Sequence, residues 1–301
     1  MAFRHAGEEY QPWFVECATT VPFGFFYVRD GKSIFAVQGS LTCNPDVGVR
    51  RALDVLGFDY EYTCSRNDRE ACQALREGLR YGPVVCGPVT TNLLTYDPTK
   101  KYVPLDSDHY VLAVGMDEHS VTLHDPEGYL FVKMKLQDFL ESWKAQRVPY
   151  KQGPYTMVSN LRKKEAVSTR ESYERILRFG RSNMNEESPQ IGVDYLGVGA
   201  PAMRQLAEDL PRLRPARAWR SLFHFSFPVS GQRCHDTALF LSRAPSGDLH
   251  DAAKLKLDQS VIYSELRSQA REKRWRAISK GLSHVAEWED RFKDIIDCYR
   301  E

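Results

Sequence analysis

The spacing of hydrophobic residues in the first half of the chain changes several times between helical and strand periodicity. Asn44 can cap a helix that has Pro45 in its first turn, and the apolar stripe of this helix ends at Gly57. A second helical stripe covers residues 67–81, and a third covers residues 136–143. Strand patterns cover residues 58–63, 84–89, 109–115, 121–125 and 129–136. Helices that are followed by a run of strands favour an α+β fold over a doubly wound sheet.

The second half of the chain has mostly helical periodicity. Its predicted helices cover residues 169–179, 201–210, 215–224, 231–243 and 250–297. We expect the last of these to be broken near Gly281. The pattern changes at the polar segment 160–165. The sequence therefore predicts two domains, an α+β domain over residues 1–160 and an all-α domain over residues 161–301.

The composition is typical of a folded globular protein. The length of 301 residues suits two domains, and a hydrophobic content of 42% argues against a disordered chain. No apolar run approaches the roughly 18–20 residues that a membrane-spanning helix needs. The N-terminal residues also lack the apolar stretch of a signal peptide. We therefore expect a cytoplasmic protein that does not bind membranes.

The seven cysteines give no sign of a metal site or a disulfide framework. They lie at positions 17, 43, 64, 72, 86, 234 and 298, and no two of them form a CxxC pair. An odd number without paired spacing argues against a zinc ribbon and against a disulfide-stabilised scaffold. We expect most of these thiols to be inert core residues, with room for one reactive thiol.

Two polar residues lie on strands that can form a hairpin. If residues 109–115 pair with the strand that begins at Val121, Gly115 faces Val121. At the other end of the hairpin Val111 faces Asp125. His109 and Asp125 are then diagonal neighbours on one face, close enough for a carboxylate to hold an imidazole. The alternative is a histidine at a strand start that only hydrogen-bonds locally.

Cys17 is the candidate nucleophile for such a histidine. Gln11 precedes it by six residues and could donate a hydrogen bond to the oxyanion of an acyl-transfer reaction. Taken alone, Cys17 would more often be a buried structural cysteine. If it is the nucleophile, it should react with iodoacetamide at near-neutral pH well ahead of the other six thiols.

In their order and spacing, Gln11, Cys17, His109 and Asp125 resemble the active site of the papain-like cysteine peptidases that remove bacteriocin leaders at double-glycine sites. Residues 82–88 also resemble that family. The resemblance implies a papain-like fold for residues 1–160. It further implies that Cys17 attacks, His109 transfers the proton and Asp125 fixes the imidazole tautomer. Gln11 and the backbone N–H of Cys17 would stabilise the oxyanion.

The whole chain resembles the butirosin biosynthesis protein H family more closely, through residues 139–143 and 231–241. This resemblance implies an acyltransferase of natural-product biosynthesis. Cys17 would take an acyl group from the thioester of an acyl or peptidyl carrier protein and pass it to an amine, forming an amide. No cofactor need bind this chain, because the phosphopantetheine arm belongs to the carrier protein. Pro22 and Gly24 predict that the helix around Cys17 is short or irregular.

Three other functions remain open at this point: a leader peptidase, a thioesterase or other hydrolase, and a catalytically idle papain-like module that binds a partner. The balance of 41 Lys+Arg against 40 Asp+Glu, without a nucleic-acid-reading motif, argues against nucleic-acid binding. The first half carries a net charge of −4 and the second +5. We expect the basic stretches 212–220 and 271–276 to help dock an acidic carrier protein. The sequence does not fix the oligomeric state, and a homodimer is compatible with it.

Overall fold

The computed structural model describes residues 1–30, 33–40, 42–102, 107–185, 194–213, 218–245 and 247–299. Its contacts divide the chain into two compact units. Unit 1 comprises Met1–Tyr10 and Gly57–Ala166, and unit 2 comprises Gln11–Leu56 and Val167–Glu301. The linear division predicted from the sequence is therefore interrupted, because residues 11–56 pack with the second half of the chain.

The regular elements are named in chain order. The α-helices are α1 (Ala2–His5), α2 (Pro12–Ala18), α3 (Pro45–Val55), α4 (Asp68–Leu79), α5 (Leu136–Trp143), α6 (Thr169–Met184), α7 (Gly199–Leu213), α8 (Ala218–Ser221), α9 (Phe227–Ser242), α10 (His250–Arg271) and α11 (Trp275–Cys298). The strands are β1 (Phe25–Asp30), β2 (Ser33–Gln38), β3 (Phe58–Cys64), β4 (Val84–Thr90), β5 (Asp108–Met116), β6 (Ser120–Asp125), β7 (Tyr129–Lys135), β8 (Thr156–Lys163) and β9 (Asp194–Val198). Short 3₁₀ segments cover Thr91–Leu93, Pro98–Tyr102 and Gly247–Leu249, and Leu222–Ser226 forms a π-helical turn.

Unit 1 is built on a six-stranded antiparallel sheet with the strand order β3-β8-β4-β5-β6-β7. The five predicted strands and the helices α4 and α5 are present. Strand β8 was not predicted, yet it lies between β3 and β4 and joins them into one sheet. The Trp143 indole of α5 donates a hydrogen bond to the Thr156 carbonyl of β8 at 2.8 Å, which fixes the helix against the sheet.

Unit 2 is mainly helical but contains a three-stranded sheet of order β2-β1-β9. The prediction that residues 161–301 are all-α is therefore wrong at β9, which pairs antiparallel with β1. The predicted long helix breaks between Arg271 and Trp275, not at Gly281. Gly281 lies inside α11, where an added Cβ would lie 2.6 Å from the Leu266 side chain. Glycine is needed there for close helix packing rather than for a turn.

Both units contribute to a mixed α and β architecture with a large sheet and a helical C-terminal region, in agreement with the α+β class. The core of unit 1 includes Leu75, Val84, Val111, Leu123 and Trp143. The core of unit 2 includes Tyr27, Leu206, Tyr263, Leu282 and Val285. Among the described helices, none combines the length and the hydrophobicity that crossing a bilayer requires.

The core of unit 2 encloses an ion pair. The Lys256 ammonium of α10 bonds the Glu289 carboxylate of α11 at 2.6 Å, and both side chains are almost completely buried. Gln259 donates a second hydrogen bond to Glu289 at 2.9 Å, and Gln38 of β2 donates a third at 3.3 Å. Lys256 also lies 4.1 Å from the centre of the Phe292 ring. The pair therefore has the additional partners that a buried charge requires.

Replacing Lys256 by Met should lower the free energy of unfolding by about 3–5 kcal/mol, because Glu289 is left buried without a cation. Lys254→Met is the matched control, since Lys254 pairs with Asp258 at the same distance of 2.6 Å on the exposed face of α10. Its loss should cost at most about 1 kcal/mol. Urea-induced unfolding of the three proteins measures both values, and equal losses would contradict this account of the buried pair.

Candidate active site

Strands β5 and β6 bring His109 and Asp125 together in unit 1. The Nε2 atom of His109 lies 2.9 Å from Oδ2 of Asp125. Near this end of the hairpin the strands have the predicted register, with Leu112 opposite His124. The two side chains are therefore hydrogen-bonded, and His109 is not a histidine that lacks a carboxylate partner.

The predicted register fails at the turn end of the same hairpin. Met116, not Gly115, lies opposite Val121, and Gly115 lies opposite Thr122. An irregularity between Ala113 and Gly115 absorbs the difference of one residue. A β-bulge of this kind shifts the pairing on one side of it only. The pattern of apolar residues indicates the two strands but not the extra residue between them.

Asp125 is held by two further donors. The Tyr96 hydroxyl donates to Oδ2 at 2.5 Å, and the backbone N–H of Glu127 donates to Oδ1 at 2.7 Å. Burial by itself raises the pKa of Asp125, but the hydrogen bonds and the nearby His109 outweigh it and lower the net pKa below the ordinary carboxyl value. Asp125 therefore remains an ionised acceptor that can fix the orientation of the imidazole.

His109 is held by one ring nitrogen. Because Nε2 faces Asp125, Nδ1 is the nitrogen that can exchange a proton with another group. No residue that the structure describes hydrogen-bonds Nδ1. The side chain is 15% exposed, so it is mostly buried but still accessible to solvent. This arrangement suits a general base that is oriented by a carboxylate.

Tyr96 was missed by the sequence analysis. It lies between two short 3₁₀ segments, outside any periodic pattern, and its ring packs against Tyr129 with 5.4 Å between centroids. Asp97 beside it accepts hydrogen bonds from the backbone and side chain of Thr99 at 2.9 and 2.6 Å. The only signal in the sequence is a tyrosine followed by an aspartate before the His109 strand, which is too common a pattern to identify the residue.

Cys17 and Gln11 belong to unit 2, where Cys17 lies on helix α2 and Gln11 directly precedes that helix. This helix has seven residues, and Cys17 lies in its last turn. The carboxyl end of a helix is the negative end of its dipole and does not stabilise a thiolate. As predicted, the helix is short: Thr20 follows with a φ of 59°, outside the right-handed helical region, and Pro22 lies beyond it.

The Cys17 thiol is buried, with no exposed surface. Burial, together with the carboxylates of Glu16 and Asp236, raises its pKa well above the ordinary value, and the interaction with Thr237 lowers the pKa by less. By contrast, Cys64 and Cys298 are exposed. The structure therefore does not support the expectation that Cys17 is the most reactive thiol towards iodoacetamide.

The predicted oxyanion donors are only partly available. Gln11 is the N-terminal cap residue of α2, is exposed and makes no side-chain capping hydrogen bond. It stands about 9 Å before Cys17 along the helix axis. The N–H of Cys17 lies within the helix, where the regular pattern directs it to the Trp13 carbonyl. Of the two predicted donors, the Gln11 amide is the one that is free to act.

The other candidate residues that the structure describes form no second site. Cys234 is buried and donates to Gln259 at 3.4 Å, and burial raises its pKa to about 12. Within the described ranges, no group of three or more His, Cys, Asp or Glu side chains could hold a metal ion. Two arginines of the predicted basic stretch 212–220, Arg214 and Arg217, lie outside the described residues.

Comparison with known proteins identifies the family. The chain is 30% identical over 291 residues to the uncharacterized protein YobF of Bacillus subtilis (strain 168), covering 95% of this chain and 90% of that protein. The chain belongs to the YobF family. The YobF C-terminal domain matches residues 195–297. In unit 2 this domain starts within β9 and ends within α11, so it includes α9 and the buried Lys256–Glu289 pair.

Replacing Asp125 by Asn should destabilise the protein most at neutral pH. Because the folded-state pKa of Asp125 is lowered, its ionised form stabilises the fold above the unfolded-state pKa of about 4, and this contribution disappears as the pH falls through the folded-state pKa. We expect a loss of about 1–3 kcal/mol near pH 7, which shrinks in acid.

Urea-induced unfolding across this pH range measures the difference between wild type and variant. Glu118→Gln, an exposed change in the turn of the same hairpin, serves as the control and should have little effect at any pH. A loss in Asp125→Asn that does not vary with pH would contradict the assigned ionised state.

Proposed function

We propose that this protein is a cysteine-dependent acyltransferase that forms an amide bond through an acyl-Cys17 intermediate, within a papain-like arrangement of its N-terminal half. The observation that carries the proposal is the 2.9 Å contact between His109 and Asp125. A buried, ionised carboxylate that orients an imidazole supplies two members of a nucleophilic triad. The order of Gln11, Cys17, His109 and Asp125 along the chain supports the assignment of the other members.

In the first step the Cys17 sulfur attacks the thioester carbonyl, and the thiol proton passes to Nδ1 of His109. The tetrahedral intermediate collapses by breaking the donor C–S bond, and His109 returns the proton to the departing thiolate. The acceptor amine then attacks acyl-Cys17 and gives a proton to His109. When the bond from carbon to Cys17 breaks, the sulfur takes that proton and the amide is released.

Asp125 and Tyr96 act on this cycle through His109. Asp125 accepts the Nε2–H and stabilises the imidazolium that forms in each step, and Tyr96 holds the carboxylate in place. Because the Cys17 thiol is neutral at rest, its attack requires His109 to take the proton as the new bond forms. Gln11 would donate to the oxyanion. The reaction needs no metal or cofactor bound to this chain.

The donor we propose is an acyl or peptidyl carrier protein, whose phosphopantetheine arm carries the thioester. The acceptor is an amine, and the setting is natural-product biosynthesis in the cytoplasm. Carrier docking would use the basic residues of unit 2. Among these, Arg271 is the last residue of α10 and Lys273 lies just beyond it.

The same first step would serve a thioesterase or a leader peptidase. These differ in whether water or an amine discharges the acyl group.

A second candidate function is a binding module without catalysis. The specific observation in its favour is the state of Cys17, which is buried, lies at the negative end of a short helix and has a raised pKa. A nucleophilic cysteine more commonly has a lowered pKa. In this case the His109–Asp125 pair would be a structural hydrogen bond.

Intact mass spectrometry after incubation with a carrier-bound or small-molecule acyl thioester tests the proposal. We expect an acyl adduct on the wild-type enzyme, no adduct on Cys17→Ala, and an unchanged adduct on the control Cys234→Ala, which removes another buried thiol of unit 2. Added amine should discharge the adduct to an amide faster than water does. If water clears it as fast as every amine tried, the enzyme is a hydrolase.

Rates of amide formation in single and double variants test whether the two residues act as one unit. Cys17→Ala and His109→Ala should each reduce the rate by several orders of magnitude, and the double variant should lose no more than either single variant, because residues that act together have strongly non-additive effects. Full activity in Cys17→Ala, or no adduct and no amide with any thioester, would favour the binding module.

A further inference from the structure

Helix α9 packs against the Cys17 helix through one of its faces. Phe240 of α9 lies 5.9 Å from the Phe14 ring of α2 and stacks on Tyr173 of α6 with 4.3 Å between centroids. Thr237 and Arg233 precede Phe240 by three and seven residues, the spacing of one helix face.

Cys17 shares a face of α2 with Phe14, one turn earlier. Because Phe14 contacts Phe240, this face of α2 looks towards α9. Thr237 lies one turn before Phe240 on α9, and its side chain lowers the pKa of the Cys17 thiol. It is 1% exposed, and its hydroxyl donates to the Arg233 carbonyl at 2.8 Å. The buried thiol and this buried hydroxyl therefore both belong to the faces of α2 and α9 that pack against each other.

Arg233 joins three elements of unit 2. Its Nε donates to Oε1 of Glu16 on α2 at 3.1 Å, and one terminal nitrogen donates to the Gln38 carbonyl at the end of β2 at 2.8 Å. Gly39 leaves room for it, since an added Cβ there would lie 3.2 Å from the guanidinium. The side chain is 17% exposed, so the ion pair with Glu16 is well shielded.

The charges around the thiol are mostly unfavourable to a thiolate. Glu16 of α2 and Asp236 of α9 both raise the pKa of Cys17, and the thiol in turn raises the pKa of Tyr173 on α6. The guanidinium of Arg233 offsets the charge of Glu16 directly. Without it, the residue next to the nucleophile would be an unpaired carboxylate.

We propose that Arg233 and Thr237 are positioning residues for the Cys17 thiol. Arg233 holds α2 in place and neutralises Glu16. Thr237 supplies a hydroxyl that donates a hydrogen bond to the thiolate when it forms. In the neutral state the Thr237 hydroxyl donates to the Arg233 carbonyl. When the thiol proton leaves, the hydroxyl rotates and donates to the sulfur instead. The catalytic meaning of this arrangement rests on the proposed acyltransferase function, but the effect on the thiol does not.

The first test compares Thr237→Val with Thr237→Ser. Thiolate formation at Cys17 is followed against pH by ultraviolet absorbance, as the difference between each protein and its Cys17→Ala counterpart. Removing the hydroxyl should shift the titration to higher pH by about one unit or more, the range expected for a hydrogen bond to a charged group. Serine should restore the wild-type titration. A Thr237→Val protein that titrates like wild type would overturn the role of Thr237.

The second test separates charge from packing at Arg233. Arg233→Gln should raise the pH of thiolate formation, Glu16→Gln should lower it, and the double variant should return towards wild type because both charges are gone. If Arg233→Gln and the double variant are shifted equally, Arg233 acts only through packing and the proposal fails for this residue. Circular dichroism confirms that each variant is folded.

The same variants distinguish this proposal from the proposed function. If acyl transfer occurs, Thr237→Val should lower its rate about tenfold or more at a fixed pH below the thiol titration, with recovery as the pH rises. If titration shifts are found but no thioester gives an adduct, the positioning roles stand and the acyltransferase assignment falls. If acyl transfer depends on Cys17 but neither the titration nor the pH–rate profile moves in Thr237→Val and Arg233→Gln, the positioning roles fall alone.

Discussion

The packing of helix α2 against α6 and α9 is the constraint on which the rest of unit 2 depends. Isolated helices shorter than about 12–15 residues are marginal in water, and α2 has seven residues. Its position is therefore determined by tertiary contacts, chiefly those of Phe14 with Tyr173 and Phe240. These partners come from the second half of the chain. Together with the pairing of β1 with β9, these contacts explain why residues 11–56 group with residues 167–301.

The same constraint determines the chemistry of Cys17. The neighbours that set its ionisation include Asp236 and Thr237, which lie more than two hundred positions away in the sequence. Motifs in the first half could predict that the thiol lies on a helix, but they could not predict which residues of the second half surround it. The position of Cys17 at the end of α2, instead of its beginning, is likewise a result of where the chain turns at Thr20.

The sequence was most informative where local pattern and local structure coincide. Alternating apolar residues and a short turn predicted β5 and β6, and with them the pairing of His109 with Asp125. The bulge near Val114 shifts the strand pairing by one residue, and the alternation of apolar residues does not predict it. Strand β9 was missed because five residues within helical sequence carry a weak strand signal. Tyr96 was missed because it lies in a loop, and only the folded structure shows that its hydroxyl reaches Asp125.

The two parts of the proposed site differ in how complete they are. Asp125 is ionised, buried and supplied with donors, so the imidazole beside it is oriented in the resting protein. Cys17 is neutral, because burial and two nearby carboxylates raise its pKa, so it becomes a nucleophile only if another group takes its proton. The proposed triad therefore depends on one step, the exchange of a proton between the Nδ1 atom of His109 and the Cys17 sulfur.

Nitrogen NMR of the His109 ring, compared between wild type and Cys17→Ala, tests this claim most directly. The account predicts that Nε2 carries the proton bonded to Asp125 in both proteins, and that removing the thiol changes the chemical shift of Nδ1 while leaving Nε2 nearly unchanged. Identical Nδ1 shifts in the two proteins at every pH examined would show that the imidazole does not sense the thiol, and would contradict the proposed triad.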